Sequence, residues 1–114
     1  MNTRNNLPSV DADAASKLAT TVVLLDVREH DEWSAGHAPG AVHIPLGELP
    51  ARLGELDAGS GVVCVCRSGS RSARATTWLR AQGFGAVNMS GGMQAWKRAG
   101  HPVVDDQGRL GAVR

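Results

Sequence analysis

The sequence predicts an α/β fold in which a mainly parallel sheet is covered by helices. Four apolar runs, each typical of a buried strand, recur about every twenty residues, and segments with helical spacing separate them. Glycines follow the helical segments, where a left-handed cap is common. Because parallel strands need crossover connections and short helices supply them, this alternation favours a parallel sheet.

The predicted elements follow one another without a linker, repeat or low-complexity block. Strands are predicted at residues 21 to 27, 41 to 46, 61 to 66 and 86 to 90. Helices are predicted at residues 11 to 19, 28 to 36, 46 to 56, 71 to 83 and 91 to 100. Pro50 is expected to end or kink the helix over 46 to 56, because proline lacks the N–H that a helix interior uses.

The length of 114 residues suits one domain over residues 1 to 114, with a core at about 8 to 104 and a loose tail over 105 to 114. The two cysteines, Cys64 and Cys66, lie too close together to close a loop, which suits a reducing compartment. The N-terminal residues lack the apolar stretch of a secretory signal or membrane span. We therefore expect a soluble, cytoplasmic protein with no membrane partner.

The charge balance argues against a nucleic-acid partner. Twelve basic and eleven acidic residues give a formal net charge of +1, which creates no global field for a polyanion. Any electrostatic specificity must therefore be local. Arg67, Arg71 and Arg74 cluster after the predicted strand over 61 to 66, which makes this the candidate region.

Cys66 stands where that strand ends, and a polar stretch follows it. We call residues 66 to 72 the cysteine loop; after Cys66 it reads Arg67, Ser68, Gly69, Ser70, Arg71 and Ser72. Ligands of parallel sheets bind beyond the carboxyl ends of strands. The small residues allow backbone N–H groups to converge beside the sulfur, and the following helix adds the positive end of its dipole.

These surroundings predict a nucleophilic thiolate that acts on an anion. A free thiol has a pKa of about 8.5, and amides, arginines and helix N-termini lower it to about 3.5 to 7.5. The same donors would stabilise charge on the attacked group. The alternative is an inert core cysteine, which would not explain the polar, arginine-flanked loop. Cys64, inside the strand, is expected to be buried and structural.

Three stretches resemble the rhodanese-like, or thiosulfate sulfurtransferase, domains: "DVREHDEWSAGHAPGAVHIPL" at 26 to 46, "VVCVCRSGSRS" at 62 to 72 and "MSGGMQAWKRAGHPV" at 89 to 103. The resemblance implies a three-layer fold around a mainly parallel five-stranded sheet. It implies that Cys66 takes a sulfane sulfur from a small anionic donor, becomes a persulfide, and passes the sulfur to cyanide or a thiol. Residues 67 to 72 would bind the donor and the sulfur, without a metal or an organic cofactor.

Two other functions stay open. One is a non-enzymatic sulfur relay or redox-sensing module, in which Cys66 accepts sulfur from one protein and delivers it to another. The other is a phosphatase or arsenate reductase, whose loop has one more residue between the cysteine and a phosphate-binding arginine. Here four residues separate Cys66 from Arg71, and Ser72 occupies the position of that arginine. The shorter loop favours a terminal sulfur over a phosphate.

Other polar residues are expected to support the fold. Asp26 ends a predicted strand, where its carboxylate could order loop amides or pair with an arginine. Arg28 and Glu32 are spaced as a helical ion pair, and His37 is expected to fix a turn. No metal site is expected, because the cysteines lack the C-x-x-C spacing of a zinc site.

Overall fold

The structure, a computed structural model, describes residues 7 to 114 and contains a five-stranded sheet in the order β1-β5-β4-β2-β3, with every paired strand parallel. The strands are β1 (Ser9–Val10), β2 (Val23–Asp26), β3 (Val42–His43), β4 (Gly61–Val65) and β5 (Gly85–Met89). The predicted α/β fold is confirmed, and each of the four apolar runs coincides with a strand, although β5 begins one residue before its run. Strand β1 was not predicted from the residues, because two residues at a sheet edge are too few to show a hydrophobic period.

Four α-helices cover the sheet: α1 (Ala12–Leu18), α2 (His30–Ala35), α3 (Ser70–Ala81) and α4 (Gly92–Arg98). Three of them fall within predicted helical segments, and α3 begins one residue before its predicted segment, 71 to 83. Helix α1 is capped by Asp11, whose carboxylate accepts a hydrogen bond from the N–H of Ala14 at 2.8 Å. Within residues 7 to 114, no helix combines the length and apolar character needed to cross a membrane.

The segment predicted as a helix over 46 to 56 is not α-helical. It forms two short 3-10 helices, Leu46–Glu48 and Leu53–Glu55, and Pro50 lies between them. The prediction was right that Pro50 interrupts the segment and wrong about the helix type. Short 3-10 turns tolerate such an interruption because each needs only one or two i to i+3 hydrogen bonds.

The central strands bury side chains on both faces of the sheet. In β4, Val62 and Cys64 pack with α3, whereas Val63 and Val65 pack with α1 and α4. Because side chains alternate along a strand, Cys66 returns to the same face as Cys64. Both thiols therefore lie on the α3 side of the sheet.

The segment over 105 to 114, which the sequence predicts to be loose, is mostly exposed but makes backbone contacts with the domain. The N–H of Ala112 donates to the carbonyl of Ala35 at 2.9 Å, and the N–H of Gly111 donates to Val103 at 2.8 Å. Gly36 leaves room for this approach, since a Cβ there would lie 2.5 Å from the carbonyl oxygen of Ala112. The segment thus runs beside the end of α2.

Candidate functional site

The cysteine loop begins where β4 ends, at the carboxyl edge of the parallel sheet. The N–H of Val27, after β2, donates to the carbonyl of Val65 at 2.9 Å, so the two strand ends lie side by side. Cys66 comes next, and α3 begins at Ser70. The loop therefore occupies the gap between a central strand and the N-terminus of the longest helix in the described chain, as its sequence predicts.

The sulfur of Cys66 is surrounded by hydrogen-bond donors. The N–H of Gly69 lies 3.1 Å from Sγ, and the hydroxyl of Ser72 lies 3.3 Å from it. Burial acts to raise the pKa of this thiol, but hydrogen bonds from the Ser72 hydroxyl and from the amides of Ser72, Gly69 and Ser68 together bring the pKa below its ordinary value. The site thus favours an anionic sulfur.

Cys66 is itself only 1% exposed, whereas Arg67, Ser68 and Ser70 are exposed. The sulfur therefore lies one layer of loop residues below the surface. A substrate must reach it through that layer, which favours a slender reacting end over a bulky one.

Gly69 makes the tight loop possible. Its φ is +119°, in the left-handed region that side-chain-bearing residues rarely adopt. Its carbonyl accepts hydrogen bonds from the Ser72 hydroxyl at 3.2 Å and from Nδ2 of Asn88 at 3.3 Å. These bonds anchor the peptide that follows Gly69, next to the N–H that donates to the sulfur.

The N-terminus of α4 fixes the other side of the loop. The N–H of Met93 donates to the carbonyl of Cys66 at 2.8 Å, and the N–H of Gln94 donates to the carbonyl of Arg67 at 3.0 Å. Because the C=O and N–H of a trans peptide point in opposite directions, the N–H groups of Arg67 and Ser68 point away from α4. This orientation agrees with the amide of Ser68 acting on the sulfur.

Arg71 is held in an ion pair. Its guanidinium donates to both carboxylate oxygens of Glu32, at 2.7 and 2.8 Å. The hydrogen bond from Arg71 holds the pKa of Glu32 at about 2, against the opposing effect of burial. The pair ties the cysteine loop to α2 and compensates much of the charge that Arg71 brings to the site.

The predicted pairing of Arg28 with Glu32 is wrong. Arg28 is fully buried, and its Nη2 lies 2.7 Å from a carboxylate oxygen of Asp26 and 2.8 Å from the carbonyl of Gly36. It precedes α2 rather than belonging to it, so the helical i, i+4 geometry does not arise. Asp26 also accepts from the backbone N–H of Arg28 at 3.0 Å, which agrees with a supporting role for both residues.

The other two arginines of the predicted cluster, Arg67 and Arg74, differ in their surroundings. Nε of Arg67 donates to the carbonyl of Arg114 at 2.8 Å, on the exposed side of the loop. Arg74 lies one turn into α3, is exposed, and lines a groove with Trp78. The three guanidinium groups are thus near one another in sequence but do not converge on one point.

Cys64 has a different environment from Cys66. It is fully buried within the sheet, and burial raises the pKa of its thiol to about 11. Such a thiol is protonated at neutral pH and is not nucleophilic. Cys64 is free, as is Cys66. Over residues 7 to 114, no set of three or more histidine, cysteine or acidic side chains is placed to hold a metal ion.

Sequence reasoning missed two contributors to this site. The role of Asn88 could not be predicted from the sequence, because a single asparagine inside an apolar run has no distinctive spacing. The role of Gly92 was also missed: a Cβ there would lie 2.5 Å from the backbone of both Cys66 and Arg67, and its φ is +60°. The two adjacent glycines at the start of this helical segment are the sequence signal that could have found it, since residues without a Cβ allow close backbone approach.

Comparison with known proteins identifies the family of this fold. The rhodanese-like domain model matches residues 11 to 99. A protein named sulfurtransferase from Allochromatium vinosum is 40% identical over 103 residues, which cover 87% of this chain and 96% of that protein.

Two solved structures share the fold. A rhodanese-related protein from Thermoplasma volcanium has a TM-score of 0.81 and 32% identity, over 85% of this chain and 97% of that one. A thiosulfate sulfurtransferase from Pseudomonas aeruginosa has a TM-score of 0.81 and 28% identity, over 98% of this chain but only 23% of that longer chain. With its cysteine loop at the end of a central parallel strand, this chain belongs to the rhodanese-like domain family.

Proposed function

We propose that the protein is a sulfurtransferase that moves a sulfane sulfur from thiosulfate or a similar anion to cyanide or a thiol through a persulfide on Cys66. The observation that carries the proposal is the set of donors around Sγ, from Gly69 at 3.1 Å and Ser72 at 3.3 Å. They stabilise a thiolate before the reaction and would stabilise a negative terminal sulfur after it. The similarity to proteins named sulfurtransferases supports the same conclusion.

The first half-reaction loads the cysteine. The thiolate of Cys66 attacks the outer sulfur of thiosulfate, a new S–S bond forms, and the original S–S bond breaks. Its electron pair leaves with sulfite, so charge and electrons balance. The outer sulfur is a slender end that suits a thiol lying one layer below the surface, and the amides of residues 68 to 72 would hold it. Arg67 would attract the anion, while Arg71 would mainly brace the loop, because Glu32 compensates its charge.

The second half-reaction removes the transferred sulfur from Cys66. Cyanide or a thiolate attacks the outer sulfur, and the electron pair of the breaking S–S bond returns to Cys66. The first half-reaction produces the Cys66 persulfide, and the second consumes it. Ping-pong kinetics are therefore expected. The reaction uses only residues of the chain itself. The two free cysteines, Cys64 and Cys66, suit a reducing compartment, and we propose that the protein acts in the cytoplasm.

A sulfur relay between proteins is the second candidate, and the burial of Cys66 favours it. A thiol that is 1% exposed would transfer sulfur slowly to free solutes, whereas a docked partner could open the loop. Steady-state rates with thiosulfate and cyanide separate the two: a high KM with slow turnover favours the relay. A phosphatase is less favoured, because Ser72, which occupies the position of the phosphate-binding arginine, donates to the sulfur instead.

Intact mass tests the central step. After incubation with thiosulfate, the wild-type chain should gain the mass of one sulfur atom, which dithiothreitol then removes. Cys66→Ser should gain nothing, and Cys64→Ser should still be loaded. Loading that persists in Cys66→Ser would overturn the assignment.

A further inference from the structure

Gln94 binds Arg67 through both its backbone and its side chain. It lies in the first turn of α4, where its N–H donates to the carbonyl of Arg67 at 3.0 Å. With its side-chain oxygen oriented towards the guanidinium, Gln94 also accepts hydrogen bonds from Nη1 at 3.0 Å and from Nη2 at 3.1 Å. Gln94 is half-buried, so water competes only in part for these bonds. The arginine that follows Cys66 is thus bound to α4.

The backbone of residues 111 to 114 adds a further contact to the same guanidinium. The carbonyl of Arg114 accepts a hydrogen bond from Nε of Arg67 at 2.8 Å, and the N–H of Ala112 donates to the last residue of α2 at 2.9 Å. A guanidinium can bind an anion with paired N–H groups along two edges, one formed by Nη1 and Nη2 and the other by Nε and one Nη. Gln94 occupies the first edge, and Arg114 occupies the second at Nε.

We propose that Gln94 is a positioning residue that sets the affinity for the anionic sulfur donor, because the donor has to displace Gln94 from Arg67 before it binds there. This inference rests on the proposed sulfur transfer, in which Arg67 attracts the donor. It adds the residue that controls this step, and it predicts that the donor competes with an internal ligand of Arg67.

The two arginines that flank the loop differ in the charge of their acceptors. Arg67 is bound by an amide oxygen and a peptide carbonyl, and neither carries a formal charge. Arg71 is bound by both oxygens of the Glu32 carboxylate. Hydrogen bonds between a guanidinium and an anion are stronger than those to a neutral oxygen. A donor anion can therefore displace Gln94 from Arg67, whereas Glu32 retains Arg71.

Binding of the donor is then an exchange of hydrogen bonds. The outer sulfur of thiosulfate faces Cys66, and its oxygens take the N–H groups of Arg67 that Gln94 and Arg114 leave. The apparent affinity falls by the fraction of molecules in which Arg67 is free to bind. A weaker contact with Gln94 should therefore strengthen donor binding, and a stronger contact should weaken it.

Two substitutions at Gln94 change this contact in opposite directions. Gln94→Leu removes the acceptor at similar size, so kcat/KM for thiosulfate should rise about twofold to fivefold. Gln94→Glu creates an ion pair with Arg67, so kcat/KM for thiosulfate should fall by a similar factor. With dithiothreitol as acceptor, kcat/KM for dithiothreitol should stay unchanged in both, because this uncharged thiol reacts only in the second half-reaction. A residue that only stabilised the fold would give losses in both variants.

The dependence on Arg67 is tested in two ways. Arg67→Gln should lower kcat/KM for thiosulfate, and adding Gln94→Leu to it should have no further effect. Iodoacetate and iodoacetamide alkylate Cys66 and differ in charge, so the ratio of their rates reports access of an anion without any sulfur transfer. Relative to the wild type, this ratio should rise in Gln94→Leu and fall in Gln94→Glu.

Gln107 supplies the matched control. Its side-chain oxygen also accepts from a guanidinium, that of Arg109 at 2.9 Å, but it lies in an exposed turn outside the cysteine loop. Gln107→Leu and Gln107→Glu should leave both ratios of rates at their wild-type values, which excludes an effect of net charge alone.

Three results would overturn the assignment of Gln94 while sulfur loading of Cys66 still stands. They are an equal effect of Gln94→Leu and Gln94→Glu on kcat/KM for thiosulfate, an effect of Gln94→Leu that persists with Arg67→Gln, and equal changes in both alkylation rates. If Cys66 gains no sulfur from thiosulfate, the proposed function fails, and the role of Gln94 in donor binding fails with it.

Discussion

Nδ2 of Asn88 lies 3.3 Å from the carbonyl oxygen of Gly69, so a side chain of β5 anchors the glycine whose N–H donates to the sulfur of Cys66. The amide in question, the N–H of Gly69, is 3.1 Å from Sγ. Asn88 is only 7% exposed, so water competes little for its hydrogen bond. The sheet thus contributes to the electrostatics of the thiol without touching it.

Replacing Asn88 should therefore weaken the thiolate. In Asn88→Ala the carbonyl of Gly69 loses one of its hydrogen bonds and the residue is freer to shift away from the sulfur, so the pKa of Cys66 should rise, and the fold should lose about 0.5–1.5 kcal/mol. The pH dependence of alkylation by iodoacetamide measures the first effect, and urea unfolding the second. Ser90→Ala is the control, because the Ser90 hydroxyl donates to Val10 at the same end of β5 and is exposed. An unchanged alkylation profile in Asn88→Ala would show that the loop holds its shape without this bond.

The rate of sulfur loading should depend on pH in a defined direction. The reactive form is the thiolate and the pKa of Cys66 is lowered, so kcat/KM should fall only when pH drops through that lowered pKa. Ser72→Ala removes the hydroxyl 3.3 Å from Sγ, which should move this fall to higher pH. On the acidic side of the profile, kcat/KM of Ser72→Ala should be about threefold to tenfold lower than that of the wild type.

The comparison variant for Ser72 is Thr77→Ala, on the exposed side of α3, whose hydroxyl donates to the carbonyl of Ala73. It should keep the wild-type profile. A Ser72→Ala profile that coincides with the wild type would mean that the amides alone set the ionisation of Cys66.

Gly92→Ala should damage both stability and loading. A Cβ at this position would lie 2.5 Å from the backbone of Cys66 and Arg67, and the left-handed φ adds strain. The expected cost is about 2–5 kcal/mol in the free energy of unfolding, with a displaced cysteine loop. Gly54→Ala, where a Cβ meets nothing within 4 Å, should stay within about 0.5 kcal/mol of the wild type. Thermal unfolding and the mass gain with thiosulfate measure the two effects, and equal behaviour of the two variants would contradict the close approach of α4.

The Glu32 and Arg71 pair should stabilise the fold above acidic pH. The pKa of Glu32 is lowered from 4.5 to about 2, so the folded state binds the proton less tightly than the unfolded state. The pair's contribution is therefore complete above about pH 4.5 and is lost as pH falls towards 2. Wild type should exceed Glu32→Gln by about 1–3 kcal/mol at pH 7, and the difference should shrink across that window.

A double-mutant cycle with Arg71→Gln isolates the pair from other effects of each substitution. Urea unfolding at pH 7 and at pH 3 supplies the values. A coupling energy near zero at pH 7, or one that grows on acidification, would be inconsistent with the bidentate contact.

The sequence by itself determined the alternation of strands and helices and the position of Cys66 at a strand end. These features follow from local patterns: β-branched runs, helical spacing and glycine stops show a period within ten or fifteen residues. The polar, glycine-containing loop after Cys66 also has a local cause, since the chain has no apolar side chain to bury there. The prediction of an α-helix over 46 to 56 was wrong for a local reason too, because Pro50 leaves room only for short 3-10 turns.

Only the tertiary structure decided which groups meet at the sulfur. Glu32 bonds to Arg71, which is 39 residues away, rather than to the nearby Arg28, and Asn88 reaches Gly69 across 19 residues. The amides of α4 meet the carbonyls of Cys66 and Arg67 because packing brings the helix N-terminus to the loop. Buried polar groups take whichever partner the packed chain places within about 3 Å, and spacing along the sequence does not encode that partner.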